Sequence, residues 1–223
     1  VHSRGRTIRD EHAPRRPVGT TRDITERKAA EDGRNLLMGE LAHRAKNGIA
    51  VVMAIVSQTA RGQESVAAFE ATLMARLQAM ATSQDFVMAS GGRPVDLAGL
   101  IHQALTAFGL SRFGIDPALE GVTIQGPLAV GMGLLLHELA TNATKYGALS
   151  ATRGSVTLGR QAAPDGRAAF DWVEVGGPPV TAPNRKGFGS RLLEQALRNQ
   201  GGNVTFAFKT EGFRARAEFP LAS

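Results

Sequence analysis

The 223-residue sequence contains no cysteine, a single Trp and a single Tyr, and only short apolar runs. Without cysteine the chain cannot form structural disulfides, thiolate metal sites or a cysteine nucleophile. Its longest apolar stretches, 49–56 and 129–136, fall well short of the about 20 residues that span a bilayer, so we expect no membrane span. The charged N-terminal residues precede no apolar segment and do not resemble a secretory signal, so we expect a cytoplasmic protein.

Positive charge is in excess, with a formal net charge of +6. Residues 1–34 hold 9 Lys and Arg against 6 Asp and Glu, so half of the excess lies in about the first sixth of the chain. A basic arm of this kind is usually solvated, and an aromatic content of 5% provides little surface for stacking on bases. The composition therefore disfavours nucleic acid as a partner.

Two long amphipathic helices are predicted in the N-terminal part of the chain. Residues 1–19 are rich in Arg, Pro and Gly and are expected to be extended or a loop, whereas a helical period begins at Asp23. Gly62 is a plausible stop, and a second helix is predicted over 65–88. The predicted apolar stripes are Leu37, Leu41, Ala45, Ile49, Val52 and Val56 on the first helix, and Phe69, Leu73, Leu77 and Met80 or Ala81 on the second. Since these faces need more partner surface than each other, dimerisation into a four-helix bundle is expected.

An α+β domain is predicted after Gly91-Gly92-Arg93-Pro94, which breaks the helical pattern. Helices are expected near 97–107, 129–146 and 190–199. Strands are expected near 122–125, 155–160 and 168–175, followed by a hairpin of 203–209 and 213–219. This order predicts helices packed on one face of a mixed sheet. The predicted boundaries are 1–35, 36–92 and 93–223.

A glycine-rich loop suggests a nucleotide site. Gly176 and Gly177 follow a predicted strand, and Gly187 and Gly189 precede the helix predicted from Ser190. Glycines permit close approach of the backbone to a ligand, and a helix N-terminus presents unpaired N–H groups to phosphates. Neither a Walker A pattern nor a Rossmann fingerprint occurs. An ordinary Gly/Pro surface loop is an equally good explanation of these residues alone.

Three polar side chains share one face of the helix predicted over 129–146. Asn142 lies four residues after Glu138, and Lys145 lies three residues further on. Hard oxygen ligands suit hydrated Mg²⁺, and an ammonium group suits phosphate, so this face could bind both. The alternative is a polar face exposed to solvent.

His43 is predicted to face outward from the first helix. It lies two residues past Leu41, about 200° around the helix from the apolar stripe, with Asn47 one turn further along the same face. An exposed imidazole can act as a nucleophile toward phosphorus, and the neighbouring Arg44 and Lys46 could hold phosphates. An isolated surface histidine is more commonly a solvated polar residue.

Read together, these motifs resemble the HWE family of bacterial sensor histidine kinases. The resemblance runs from about Leu36 to Leu221, in the order and spacing of the family. It is carried by the segments 40–47 (ELAHRAKN), 137–150 (HELATNATKYGALS), 172–178 (WVEVGGP) and 187–189 (GFG). Residues 19–28 resemble the last strand and exit linker of a PAS-type sensor domain.

The resemblance implies a helical hairpin for dimerisation and phosphotransfer, followed by a Bergerat-type (GHKL) α/β sandwich that binds ATP. By similarity, His43 is the phosphoacceptor for the γ-phosphoryl group of ATP. Glu138 is the candidate that polarises this nucleophile. Asn142 matches the residue that holds Mg²⁺ against the phosphates, and Lys145 could neutralise phosphate charge.

The same resemblance assigns the base-binding residues. Glu174 stands where related ATPases use Asp to accept a hydrogen bond from the adenine amino group. Gly176 and Gly177 would allow close approach below the base. Gly187 and Gly189 would flank a short lid over the phosphates. Trp172 and His137, which define the family pattern, are interpreted as packing residues rather than catalytic ones.

The implied partner is a response-regulator receiver domain, whose Asp takes the phosphoryl group from His43. A homodimer is expected, although the family also includes kinases that work as monomers. Commonly an acidic residue directly follows the phosphoacceptor, whereas this chain has Arg44, which gives no support to phosphatase activity. The alternatives are an ATP-binding scaffold, or pseudokinase, that acts by docking partners, and a phosphotransfer protein without a nucleotide site.

Overall fold

The computed structural model describes residues 2–8, 16–60, 65–164, 166–180, 194–195 and 197–222. The chain forms two compact units, Val1–Val51 and Val52–Ser223. Gly62, Gly187 and Gly189 lie outside the described residues.

The first unit contains an antiparallel pair of strands and most of a long helix. Strands β1 (His2–Ile8) and β2 (Arg16–Arg22) pair with Gly5 opposite Gly19. The described residues of the opening, 2–8 and 16–19, are therefore extended. Helix α1 (Thr25–Thr59) follows, and the Asp23 carboxylate accepts hydrogen bonds from the backbone N–H and the hydroxyl of Thr25 where the helix begins. The predicted first helix is confirmed, and the PAS-type origin of residues 1–35 stays a prediction.

Helix α2 (Val66–Ala89) matches the second predicted helix to within a residue or two. Ser65 caps its first turn by accepting a hydrogen bond from the Ala68 N–H. Its predicted stripe ends at Met80, which is buried, rather than at Ala81. Positive φ angles at Gly91 and Gly92 then turn the chain out of the helix.

The predicted apolar stripe of the first helix is only partly correct. In the C-terminal turns of α1, Ile55 and Thr59 are buried, although neither belongs to that stripe. Ile49 and Val56, which do belong to it, are exposed. The structure describes a single chain, so exposure of this face does not contradict the expected dimer.

Two helices form the buried layer of the second unit. They are α3 (Leu97–Leu105), capped by Asp96, and α4 (Gly126–Lys145), which has Pro in its first turn. Helix α4 is buried along most of its length from Leu128 to Ala143. It packs closely against α2, and a Cβ at Gly133 would overlap the Ser83 hydroxyl. Glycine at this position therefore permits the close approach of the two helices.

A five-stranded mixed sheet forms the other layer. Its strands are β4 (Phe113–Ile115), β6 (Ser155–Gln161), β7 (Arg167–Val175), β8 (Asn203–Lys209) and β9 (Gly212–Pro220). The short strands β3 (Val95–Asp96) and β5 (Thr123–Ile124) form a separate antiparallel pair. The strand order is β4-β6-β7-β9-β8, and only β4 and β6 are parallel. Phe170, Trp172 and Phe219 are fully buried in the core. The predicted mixed sheet and its closing hairpin are confirmed.

Some predicted elements differ or remain outside the description. Strand β4 and the two-residue strand β3 were not predicted, and α4 begins at Gly126 rather than near 129. Of the helix predicted over 190–199, the described residues 194–195 and 197–198 are helical. The compact units divide at Val51 rather than at Gly92, so the three domain boundaries stay predictions. Among the described residues, no helix is long and apolar enough to cross a membrane.

Arg112 clamps the loop that follows α4. Its guanidinium donates hydrogen bonds to the backbone carbonyls of Leu149 (2.9 Å), Ala151 and Gly154 (3.0 Å from Nε). A planar guanidinium can serve several carbonyl groups at once, which a lysine ammonium cannot reproduce in the same geometry.

We expect Arg112→Lys to lower the free energy of unfolding by about 2–3 kcal/mol, because several charge-assisted hydrogen bonds to carbonyl groups are lost. Urea denaturation would measure the change. Arg160→Lys is the matched control, since the exposed Arg160 guanidinium donates to one carbonyl, that of Ala118. An equal loss of unfolding free energy in the two variants would contradict a special contribution of the Arg112 hydrogen bonds to stability.

Candidate functional site

The C-terminal half of α4 carries the three polar residues predicted from the sequence. Glu138, Asn142 and Lys145 all lie in this helix, as the spacing predicted. The side chains of Asn142 and Lys145 are exposed, whereas that of Glu138 is 14% exposed. This face of α4 is therefore exposed to solvent at its C-terminal end and shielded from solvent at Glu138.

Glu138 forms an ion pair with Arg76, which the sequence analysis did not predict. The Arg76 guanidinium donates from Nε to Glu138 Oε1 (2.6 Å) and from Nη2 to Oε2 (2.7 Å). Its Nη1 donates to the Thr59 hydroxyl (2.9 Å), which in turn donates to the Ile55 carbonyl (2.7 Å). Three helices thus meet in one hydrogen-bonded cluster. Because 62 residues separate Arg76 from Glu138, no local sequence pattern could have indicated the pair.

His137 lies beside this cluster and packs edge-on against Phe108, with ring centroids 5.4 Å apart. Burial lowers the pKa of His137 below its ordinary value of 6.5. The Glu138 charge partly opposes this effect and the Arg76 charge adds to it. The environment therefore favours the neutral ring, as suits a packing residue.

Glu174 is a carboxylate buried at the end of strand β7, with 4% of its surface exposed. Its Oε2 accepts a hydrogen bond from the Ala148 N–H (2.8 Å), and its Oε1 accepts one from the Trp172 indole N–H (3.2 Å). Burial raises the pKa of Glu174, although both hydrogen bonds act in the opposite direction. The environment thus holds a costly buried acid in a fixed position.

Trp172 serves both the core and Glu174. Side chains two apart on a strand share a face of the sheet, so the indole and the carboxylate lie together. The indole is fully buried and lies 5.9 Å from the Phe113 ring, measured between centroids. Trp172 is therefore a packing residue, as predicted, that also donates a hydrogen bond to Glu174.

Packing or backbone conformation explains three glycines near Glu174. A Cβ at Gly147 would overlap Glu174 Oε2, and a Cβ at Gly177 would lie 2.7 Å from the Ala148 nitrogen. Gly176 has a φ of +76°, a region that side chains disfavour. Packing and backbone conformation alone thus explain Gly176 and Gly177, and their close approach to a ligand stays a prediction.

The phosphoacceptor candidate lies in a different unit from these residues. His43 belongs to the helical backbone of α1, within Val1–Val51, whereas Glu138 and Glu174 belong to Val52–Ser223. The side chain of His43 is outside what the structure describes.

The described residues contain no group of three or more His, Asp or Glu side chains that could hold a metal ion. An Mg²⁺ ion at Asn142 would therefore take its other ligands from water and phosphate. Mg²⁺ keeps several waters and commonly binds through few protein oxygens together with substrate phosphates. The exposed amide of Asn142 fits that pattern of ligands.

Comparison with known proteins decides the family. Residues 40–126 match the family model for the HWE histidine kinases. The chain belongs to this family. The blue-light-activated histidine kinase of Brucella anthropi is 35% identical over 190 residues, and that of Brucella ovis is 34% identical over 188. Each alignment covers 82% of this chain and 38% of the relative, so the chain spans about two fifths of the length of these proteins.

Solved structures confirm the fold. The histidine kinase domain of the Erythrobacter litoralis EL346 blue-light activated histidine kinase superposes with a TM-score of 0.53 at 17% identity, covering 78% of this chain and 96% of that one. A second EL346 structure gives a TM-score of 0.56 at 18% identity, covering 93% of this chain and 64% of that one. The predicted α+β class, a helical part followed by a GHKL-type sheet domain, is thereby confirmed.

The half-buried His137 should make the free energy of unfolding depend on pH. Because its pKa is lower in the folded state, the unfolded chain binds the proton first as the pH falls below about 6.5. The contribution of this residue to stability is therefore intact above pH 6.5 and is lost as the pH falls toward the folded pKa. We expect His137→Gln to reduce the loss of unfolding free energy between pH 7 and pH 5, measured by urea denaturation. His102→Gln, on an exposed position of α3, is the control, and equal pH dependence of all three proteins would contradict the assignment.

Proposed function

We propose that this chain is the kinase core of a sensor histidine kinase, which autophosphorylates His43 from ATP and passes the phosphoryl group to an Asp of a response regulator. The observation that carries the proposal is the buried Glu174 carboxylate, fixed by the Ala148 N–H and the Trp172 indole. It is an acceptor held in place beside a glycine-lined loop, on a chain of the HWE family.

Glu174 is the proposed acceptor for the exocyclic amino group of adenine. A carboxylate offers about four lone-pair positions, and the two protein donors use one on each oxygen. Acceptor capacity therefore remains for a base that enters beside Gly176 and Gly177. A guanine base carries a carbonyl oxygen at the corresponding position and would meet the carboxylate with two acceptors facing each other.

The phosphates would lie toward the exposed end of α4. We propose that Asn142 holds Mg²⁺ against them, with Lys145 neutralising part of their charge. Gly187 and Gly189 would flank the lid over the phosphates. When bound, Mg²⁺ supplies electrostatic stabilisation of the transferring phosphoryl group.

In the proposed reaction an imidazole nitrogen of His43 forms a bond to the γ-phosphorus, and the bond from that phosphorus to the β,γ-bridging oxygen breaks to release ADP. The proton on the other imidazole nitrogen is stabilised or taken up by a base, and Glu138 is the proposed residue. Transfer to the Asp of a receiver domain then regenerates free His43.

The helical hairpin is the proposed dimer surface. Apolar side chains that are exposed on the described chain include Ile49 and Met53 of α1 and Met74 and Met88 of α2. Association through such faces would bury them in a four-helix bundle. A signal from upstream would reach the kinase through the start of α1.

The proposal is tested by incubating the protein with γ-labelled ATP and Mg²⁺ and measuring acid-labile, alkali-stable label. We expect label on the wild-type chain, background incorporation for His43→Ala, and unchanged incorporation for His102→Ala. ATP binding is measured in parallel by calorimetry. Bound ATP without label would favour the scaffold alternative, and label that persists in His43→Ala would contradict the assignment of the phosphoacceptor.

A further inference from the structure

The cluster of Thr59, Arg76 and Glu138 joins three helices through side chains with little exposure. Thr59 is 1% exposed, and the side chains of Arg76 and Glu138 are 17% and 14% exposed. Thr59 lies in the last turn of α1, Arg76 in the middle of α2, and Glu138 in α4. The same helix α1 contains His43 at a position nearer its start.

The hydrogen bonds of Thr59 have a fixed direction. Its hydroxyl proton is donated to the Ile55 carbonyl (2.7 Å), so the oxygen is left to accept from Arg76 Nη1 (2.9 Å). A buried hydroxyl that loses a partner carries a desolvation cost. The position of the Arg76 guanidinium is therefore linked to the backbone of the last turns of α1.

The pairing leaves Glu138 able to accept a further hydrogen bond. The Nε–H and one Nη2–H of Arg76 each use one lone pair on a different carboxylate oxygen. Both oxygens retain further acceptor positions. A bidentate ion pair also fixes the side-chain torsions of a flexible glutamate, which would otherwise have to be ordered during the reaction.

We propose that Arg76 is a positioning residue for Glu138, and that Thr59 couples this positioning to helix α1. The inference rests on the proposed function, in which Glu138 assists proton removal from His43. A displacement of the last turns of α1 moves Thr59 and changes its hydrogen bond with Arg76. This change in turn alters the orientation of the Glu138 carboxylate. The helix that bears the phosphoacceptor and the helix that bears its base are thus joined by one hydrogen-bonded relay.

The test removes one hydroxyl while preserving side-chain shape. Thr59→Val keeps the β-branched volume and loses the acceptor, whereas Thr59→Ser keeps the hydroxyl and is the matched control. For each protein, the autophosphorylation rate at saturating ATP, the Kd for ATP and the melting temperature are measured. Both substitutions are also made in Glu138→Gln.

We expect Thr59→Val to lower the rate about 3–10-fold with an unchanged Kd for ATP, and Thr59→Ser to stay within about 2-fold of wild type. In the Glu138→Gln background, Thr59→Val should have no further effect, since the relay then has no base to position. A lower melting temperature with an unchanged rate would overturn the proposal, because it would show a structural role only. A higher rate would also overturn it, by showing that the ion pair restrains Glu138.

A Thr59→Val effect of the same size in the Glu138→Gln background would also overturn the relay, because Thr59 would then act elsewhere. Failure of the proposed function looks different. In that case the wild-type chain itself takes up no label on His43, and the relay fails with it. A labelled wild type with an unaffected Thr59→Val overturns the relay alone.

Discussion

Burying a carboxylate costs free energy unless hydrogen-bond donors satisfy it. The donors to Glu174 come from two different parts of the structure. Burial raises the pKa of Glu174, so the site must supply hydrogen bonds that favour an accepting oxygen. One donor is the indole of Trp172 from the same strand, and the other is the backbone N–H of Ala148 from the loop after α4. The indole lies beside the carboxylate because the two residues share a face of one strand, whereas the Ala148 N–H reaches the carboxylate only when the sheet and the helix layer are assembled.

The loop that contains Ala148 is fixed by a second set of contacts, made by Arg112 and by neighbouring glycines. Arg112 donates to its carbonyl groups at Leu149, Ala151 and Gly154. Gly147 and Gly177 lack the Cβ atoms that would collide with Glu174 and Ala148. The buried acid, the arginine clamp and the glycines thus depend on one another. Folding has thus already placed the carboxylate that we propose as the acceptor for adenine.

Local patterns predicted most of the elements. The helical period of α2 and the alternation of β8 and β9 were sufficient because each depends on neighbours within a few residues. The pairing of Trp172 with Glu174 could also have been inferred, since residues two apart on a strand share a face. Strands β3 and β4 were missed because two or three residues carry no periodicity.

Long-range contacts could not be predicted in the same way. The ion pair of Arg76 with Glu138 requires α2 to pack on α4, and that packing depends on small residues such as Gly133 opposite Ser83. The stripe on α1 was misplaced near its end for a related reason, because Ile55 and Thr59 are buried by α1's tertiary neighbours rather than by its own period. The proposed role of His43 rests on the family resemblance, since a single histidine in a helical sequence carries no signal of its own.

The single Trp of the chain allows a direct test of the claim that Glu174 receives adenine. In a ¹H–¹⁵N spectrum the indole N–H of Trp172 gives one resonance, and it donates to the carboxylate in question. Titration with Mg²⁺-ADP should shift this resonance and the Ala148 amide with the Kd found by calorimetry, whereas Mg²⁺-GDP should leave both in place. ADP binding that does not move the indole resonance, or equal shifts with GDP, would contradict the account.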